Sequence, residues 1–316
     1  MNRPLNIAHR GGANLWPENT LDAFENAIHA GVDGIECDIQ RTRDDALIIH
    51  HDNRLKPAAT RQNGRWLSAP TPRLRDLALR ELDALDVGRL HPDSAYAKTR
   101  TGQVPIDGAH IPALDALNKL IATRAGPDFR LYAELKTHLL DDTDAAAHHL
   151  ADLFCTSLAS SPISDRTHII SFDWRCVDHV RAAFPDQPHA YTTLPFFITD
   201  PATADKNPLS GPRAQLRAAA AAGAAWFGKH DWRDKPGQTH GEKMLAAIAA
   251  AGGQHWFAYH ADITPETLAC AARLNIGVSA WTVNAPAEMA RLARLGVSAI
   301  ITDRPDIMLQ LPDAQS

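Results

Sequence analysis

The chain has 316 residues, 45% hydrophobic and 22% charged, with a formal net charge of −5. That balance excludes a disordered chain, and 18 Gly and 21 Pro exclude a collagen-like or low-complexity one. The mild acidity argues against a basic face for nucleic acid or a membrane surface. No apolar run approaches the roughly 18 residues of a membrane span. The first twelve residues lack the apolar stretch of a secretory signal. Cys37, Cys155, Cys176 and Cys270 form no CxxC pair. A cytoplasmic protein with no nucleic-acid partner and no integral membrane segment is therefore expected.

Short apolar runs alternate with helical patterns along the chain. Strand candidates are Leu5–His9, Gly34–Gln40, Leu47–His51, Arg130–Leu135, His168–Phe172, Ala190–Leu194, Trp226–Lys229, Trp256–Tyr259, Gly277–Val283 and Ala299–Thr302. Leu21–Ala30 carries Leu21, Phe24, Ala27 and Ile28 on one stripe, with Asn19 or Thr20 as its cap. Thr264–Leu274 and Pro286–Leu295 open on helix-start signals, and Gly296 ends the second. Alternation of this kind gives a parallel sheet, and eight such units close into a (β/α)8 TIM barrel. Ten candidates are too many. Leu47–His51 follows its predecessor closely enough to be a hairpin partner or rim strand, and either Trp226–Lys229 or Trp256–Tyr259 is surplus.

A single barrel domain over 1–316 accounts for the length if two segments are inserted. One, about 52–111, is a Pro-rich rim subdomain with a helical pattern at Leu74–Leu85. The other is a longer loop region, about 195–253, whose first part is rich in Pro, Thr, Asp and Asn.

Polar clusters fall at strand C-terminal ends, where a barrel carries its active site. His9-Arg10-Gly11-Gly12 combines a proton-exchanging imidazole, an anion clamp and glycines that permit close backbone approach, or is a polar strand end with a Gly turn. Glu36 and Asp38 share a strand face. Two carboxylates facing a barrel interior repel unless a divalent cation neutralises them; otherwise both are solvated, or one pairs with a Lys. In His50-His51-Asp52, His51 is the better catalytic candidate and His50 is packing or solvated. Glu134 and Lys136 also share a face, as a third metal carboxylate and a second phosphate cation, or as a structural ion pair. Trp281 is an aromatic wall for a small alcohol or a core residue. Together, two histidines, three carboxylates and two cations form the set that phosphoryl-ester cleavage needs.

The chain resembles the glycerophosphodiester phosphodiesterase family. The resemblance is carried, in order, by His9-Arg10-Gly11, Pro17-Glu18-Asn19-Thr20, Ala23-Phe24, Gly31 to Asp38, His51-Asp52, Glu134-Leu135-Lys136, Ser171-Phe172, Trp281-Thr282-Val283-Asn284 and Ile301-Thr302-Asp303-Arg304-Pro305. It implies a TIM barrel that hydrolyses a small-molecule glycerophosphodiester to glycerol 3-phosphate and an alcohol. It implies His9 and His51 as the acid/base pair, and one divalent cation, Mg²⁺ or Ca²⁺, on Glu36, Asp38 and Glu134. Arg10 and Lys136 would hold the phosphate and Trp281 would line the glycerol side. Alternatives are the same site acting on a lysophospholipid, phosphosugar or xenobiotic diester, or a non-catalytic barrel binding a phosphodiester. Of the 16 histidines, only His9 and His51 receive a role.

Overall fold

A computed structural model describes residues 3–203 and 206–311. Eight parallel strands close on themselves: β1 (Leu5–His9), β2 (Gly34–Arg41), β3 (Arg130–Leu135), β4 (Thr167–Ser171), β5 (His189–Thr192), β6 (His255–Tyr259), β7 (Gly277–Trp281) and β8 (Ala299–Thr302). Each pairs with its sequence neighbours among the eight, and β8 returns to β1 through Leu5↔Ala299. The fold is the (β/α)8 barrel that the alternation implied. Leu47–Ile49 lies antiparallel to the end of β2, as a hairpin partner.

The register sets the site. His9 of β1 lies beside Glu36 of β2, and Asp38 of β2 beside Glu134 of β3. The side-chain period of two turns His9, Glu36, Asp38 and Glu134 inward at the C-terminal mouth. Below them Ile7, Tyr132, Ile170, Phe257 and Ile301 fill the barrel, so the polar mouth rests on a dry floor. Two further apolar clusters bind the strands to the outer helices, one around Phe24, Ile35 and Phe154, the other around Trp174, Trp256 and Ile248.

Helix starts follow local chemistry. Thr20, not Asn19, caps Leu21–Ala30 by accepting from the Ala23 amide. Thr264 caps Pro265–Arg273, and Gly296 closes Pro286–Leu295 at φ 80.

Three sequence expectations need correction. Trp226–Lys229 is no strand. Ala225–Phe227 is a 3-10 turn whose Trp226 and Phe227 are buried in the outer core against Trp174. A short apolar run has no period that separates the two states. Trp256–Tyr259, the rival candidate, belongs to β6. Leu74–Leu85 is no continuous helix either. It holds two 3-10 turns, Leu74–Asp76 and Leu79–Glu81, and enters a small strand at Leu85. Its leucines recur at spacings of two and three residues, which short 3-10 turns satisfy as well as an α-helix. Nor is 195–253 mainly loop. It contains helices Gly211–Ala222 and His240–Ala250. The first is alanine-rich, with Pro near its start and Gly223 at φ 92 behind it.

Segment 52–111 forms a three-stranded sheet and the short helix Ala95–Thr99. Leu55, Leu74, Leu82, Leu85 and Ile111 pack there on Ile48. Gln103 ties the segment to the β1 turn by donating to the Ala13 and Trp16 carbonyls at 2.9 and 3.0 Å.

Asp262, just after β6, is a buried carboxyl outside the mouth cluster. It accepts from the Phe196 amide at 2.9 Å. Burial pushes its pKa up to about 7, so the folded state holds its proton. The sign follows: this proton stabilises the fold fully below the ordinary carboxyl pKa, and the stabilisation is lost as pH rises towards 7. Asp262→Asn should therefore gain stability relative to the parent between about pH 4 and 7, by up to about 4 kcal/mol, and then level off. Denaturant melts across that range check this; a pH-independent difference contradicts it.

Candidate active site

Gly11 lets the β1 turn lie on the first helix. It sits at φ 82, and an added Cβ would lie 2.9 Å from Ala23 Cβ. Arg10 itself adopts φ 52, a conformation few non-glycine residues take. From there its guanidinium turns back into the mouth. Nε lies 3.0 Å from Asp38 Oδ2, and Nη1 donates to Glu18 Oε1 at 3.0 Å.

Glu36, Asp38 and Glu134 are buried, and one oxygen of each lies within 4.8 Å of the other two. Asp38 Oδ2 accepts from Asn19 Nδ2 at 2.8 Å. That leaves Asp38 Oδ1 with only the Lys136 ammonium, at 3.4 Å. Glu36 Oε1 has no hydrogen-bond partner among the described residues. Burial, then Asp38 and Glu134, push the Glu36 carboxyl well above the usual range. Burial also raises Glu134, against the opposing pull of Lys136. Burial works the same way on Asp38, but Arg10 and Lys136 outweigh it and hold Asp38 ionised. Converging, partly orphaned carboxylate oxygens in a repelling cluster fit a hard divalent cation, and an all-oxygen donor set fits Mg²⁺ or Ca²⁺. Lys136 Nζ also meets Glu134 Oε1 at 2.9 Å, so the ion pair weighed against a metal role is formed within the same cluster.

The two histidines are held alike. His9 Nδ1 meets Asp303 Oδ1 at 2.6 Å, and His51 Nδ1 meets Asp52 Oδ1 at 3.1 Å. A carboxylate only accepts, so each Nδ1 carries the proton and each Nε2 is left to exchange one. His9 Nε2 lies 3.8 Å from Glu36. Burial would raise the Asp303 carboxyl, but His9 and Asn284 outweigh it and keep it well below the usual range. Asn284 donates to Asp303 Oδ2 at 2.8 Å. His51 stands on the rim, about one-third exposed, between a cavity of about 260 Å³ and one of about 290 Å³. Burial, then the Arg10 and Lys136 cations, lower its pKa to about 4. His50 borders the second cavity too, so the adjacent histidines are not split between core and mouth.

Trp281 stands at the end of β7. Its indole donates to the Phe257 carbonyl at 3.2 Å, and its ring meets Phe172 edge-on at 5.2 Å. Lys136 Nζ lies 5.9 Å from the same Phe172 ring. The structure thus brings His9, Arg10, Glu36, Asp38, His51, Glu134, Lys136 and Trp281 to one mouth.

Glu18, Asn19, Gln40, Asn284 and Asp303 have no site role in the sequence analysis, yet all contact the groups of this mouth. Gln40 had a readable signal: it continues the face of Glu36 and Asp38. Its amide donates to the carbonyls of His50, His51 and Asp52 at 2.6, 3.2 and 2.9 Å. Gln40→Leu is expected to lower kcat about 10²-fold by loosening the loop that carries His51. Steady-state kinetics check this, and a kcat within twofold of the parent contradicts it.

A model of the glycerophosphoryl diester phosphodiesterase family matches residues 9–307. YhdW of Bacillus subtilis strain 168 is 27% identical over 304 residues, 96% of each chain. A glycerophosphodiester phosphodiesterase of Caldanaerobacter subterraneus subsp. tengcongensis is 24% identical over 311 residues, 98% of each. A solved Silicibacter pomeroyi DSS-3 protein is 29% identical with a TM-score of 0.78, covering 98% of this chain and 92% of that one. An Oleispira antarctica phosphodiesterase, solved with the product sn-glycerol-3-phosphate, shares the fold at 17% identity and a TM-score of 0.66, covering 97% and 96%. No helix among the described residues is long and apolar enough to cross a membrane. The chain belongs to the glycerophosphoryl diester phosphodiesterase family and is an enzyme of that family.

Proposed function

We propose that the chain hydrolyses glycerophosphodiesters to glycerol 3-phosphate and an alcohol, with a divalent cation on Glu36, Asp38 and Glu134 and with His9 and His51 as the acid/base pair. The observation that carries the reading is the buried triad of carboxylates, with an orphaned Glu36 oxygen, lying between two histidines that each rest on a carboxylate. The product bound to the Oleispira relative supports the choice of substrate.

A bound cation would supply charge stabilisation at the phosphoryl oxygens. Arg10 and Lys136 hold the same oxygens from the two sides of Asp38. His9, with Nδ1 fixed by Asp303, takes the proton of the attacking hydroxyl at Nε2. His51, on the rim beside the cavities, takes up a proton at Nε2 once the diester anion offsets the Arg10 and Lys136 charges that lower its pKa, and returns it to the departing alkoxide. Trp281 and Phe172 give the glycerol unit an apolar wall. The chain is a single barrel domain in this reading, with 52–111 and 195–253 shaping its rim.

The test is product analysis. Incubation with glycerophosphodiesters and a divalent cation is expected to release glycerol 3-phosphate. Cleavage at the other ester bond, leaving free glycerol and the phosphate monoester of the alcohol, would overturn the assignment.

A further inference from the structure

We propose that the cavity on the Lys136 side of His51 is the head-group subsite, and that it selects an uncharged polyhydroxylated alcohol over a quaternary ammonium. The inference rests on the phosphodiesterase reading above. The leaving alcohol must depart beside the group that protonates it, and this cavity of about 260 Å³ is bordered by both His51 and Lys136.

Its ionic wall is already neutralised. Arg73 pairs with Asp141 at 2.8 Å, Arg75 with Asp142, and Asp52 with Lys56 at 2.6 Å. Arg41 pairs with Asp45 at 3.3 Å, so among the lining residues no carboxylate is left over for a cationic head group and no guanidinium for an anionic one. No Trp, Tyr or Phe ring lines the cavity, so it offers no electron-rich face to an alkylammonium.

What remains is hydroxyl chemistry. Asn53 lines the same cavity, and its side-chain amide makes no hydrogen bond among the described residues. Gln40 spends its amide nitrogen on the 50–52 carbonyls and keeps its oxygen as an acceptor. Thr137 donates its hydroxyl to Asp173 and keeps its lone pairs. Two amide donors and several acceptors in one polar hollow match a polyol.

The cavity on the Arg10 side is no better for a quaternary ammonium. The Arg100 guanidinium covers the Tyr96 ring at 3.8 Å. Glu18 is consumed by Arg10, Arg100 and the Tyr96 hydroxyl.

The experiment compares kcat/KM of the cation-loaded enzyme on glycerophosphoglycerol, glycerophosphoinositol and glycerophosphocholine, for the parent and for Asn53→Ala. The polyol diesters are expected to lead by about tenfold, roughly one net hydrogen bond. Asn53→Ala should reduce that lead several-fold through KM and leave the choline diester unchanged. Equal or better turnover of the choline diester overturns the inference. So does an Asn53→Ala enzyme whose preference is unaltered, or one slowed alike on all three. Turnover of none of the three overturns the phosphodiesterase reading itself, and the subsite falls with it.

Discussion

His51→Ala is expected to lower kcat by about 10²–10⁴-fold, the usual worth of a positioned proton donor or acceptor. Its Nδ1 rests on Asp52, and Gln40 fastens the backbone that carries it. Two other imidazoles stand nearby: His50 borders the Arg10-side cavity, where burial lowers its pKa, and His138 borders the Lys136-side cavity with Nδ1 3.1 Å from Asp141, but neither is fastened by Gln40 beside both cavities. The His51 ring is partly exposed and contributes little packing, so the melting temperature should change little. Kinetics and thermal melts on the same preparation separate the two effects. Because the lost group is an imidazole beside open cavities, added imidazole should restore part of the rate. A near-normal kcat would remove His51 from the reaction.

Glu36→Gln should make the cation-free protein more stable and the enzyme far less active. Glu36 is 2% exposed and shares its space with two other carboxylates. Burial and those neighbours hold it well above the usual range, so its charge costs the fold free energy. Glutamine keeps the shape and an oxygen to accept from the Arg10 amide, a contact now 3.2 Å long. A gain of about 1 kcal/mol or more in the presence of chelator is expected. Activity with saturating Mg²⁺ or Ca²⁺ should fall about 10³-fold, since several kcal/mol of charge stabilisation depends on the cation. A variant that is less stable in chelator would show that Glu36 is a structural group, satisfied without a cation.

The barrel was legible because its strands are buried on both faces and its helices are capped. Arg130–Leu135 and Ala299–Thr302 match their strands end to end, as Leu21–Ala30 and Pro286–Leu295 match their helices. Residue parity was enough to align Glu36 with Asp38 and Glu134 with Lys136 on inward faces. It would also have reached Gln40. It could not reach Asp303, which meets His9 from 294 residues away only because β8 closes onto β1. Asn284, two residues ahead of Pro286–Leu295, hydrogen-bonds Asp303 and leaves that helix without a side-chain cap. Leu74–Leu85 and Trp226–Lys229 failed for a different reason. Their apolar spacing fits more than one local structure, and tertiary burial on Ile48 and Trp174 made the choice.

In the proposed reaction, diester hydrolysis depends on a cation held by Glu36, Asp38 and Glu134. The most direct test strips the enzyme with EDTA, removes the chelator and measures glycerol 3-phosphate release from a glycerophosphodiester before and after adding Mg²⁺ or Ca²⁺. Activity is expected to be lost on stripping and to return with one or both ions. Full activity in the stripped enzyme, or no release with any divalent cation, would contradict that dependence.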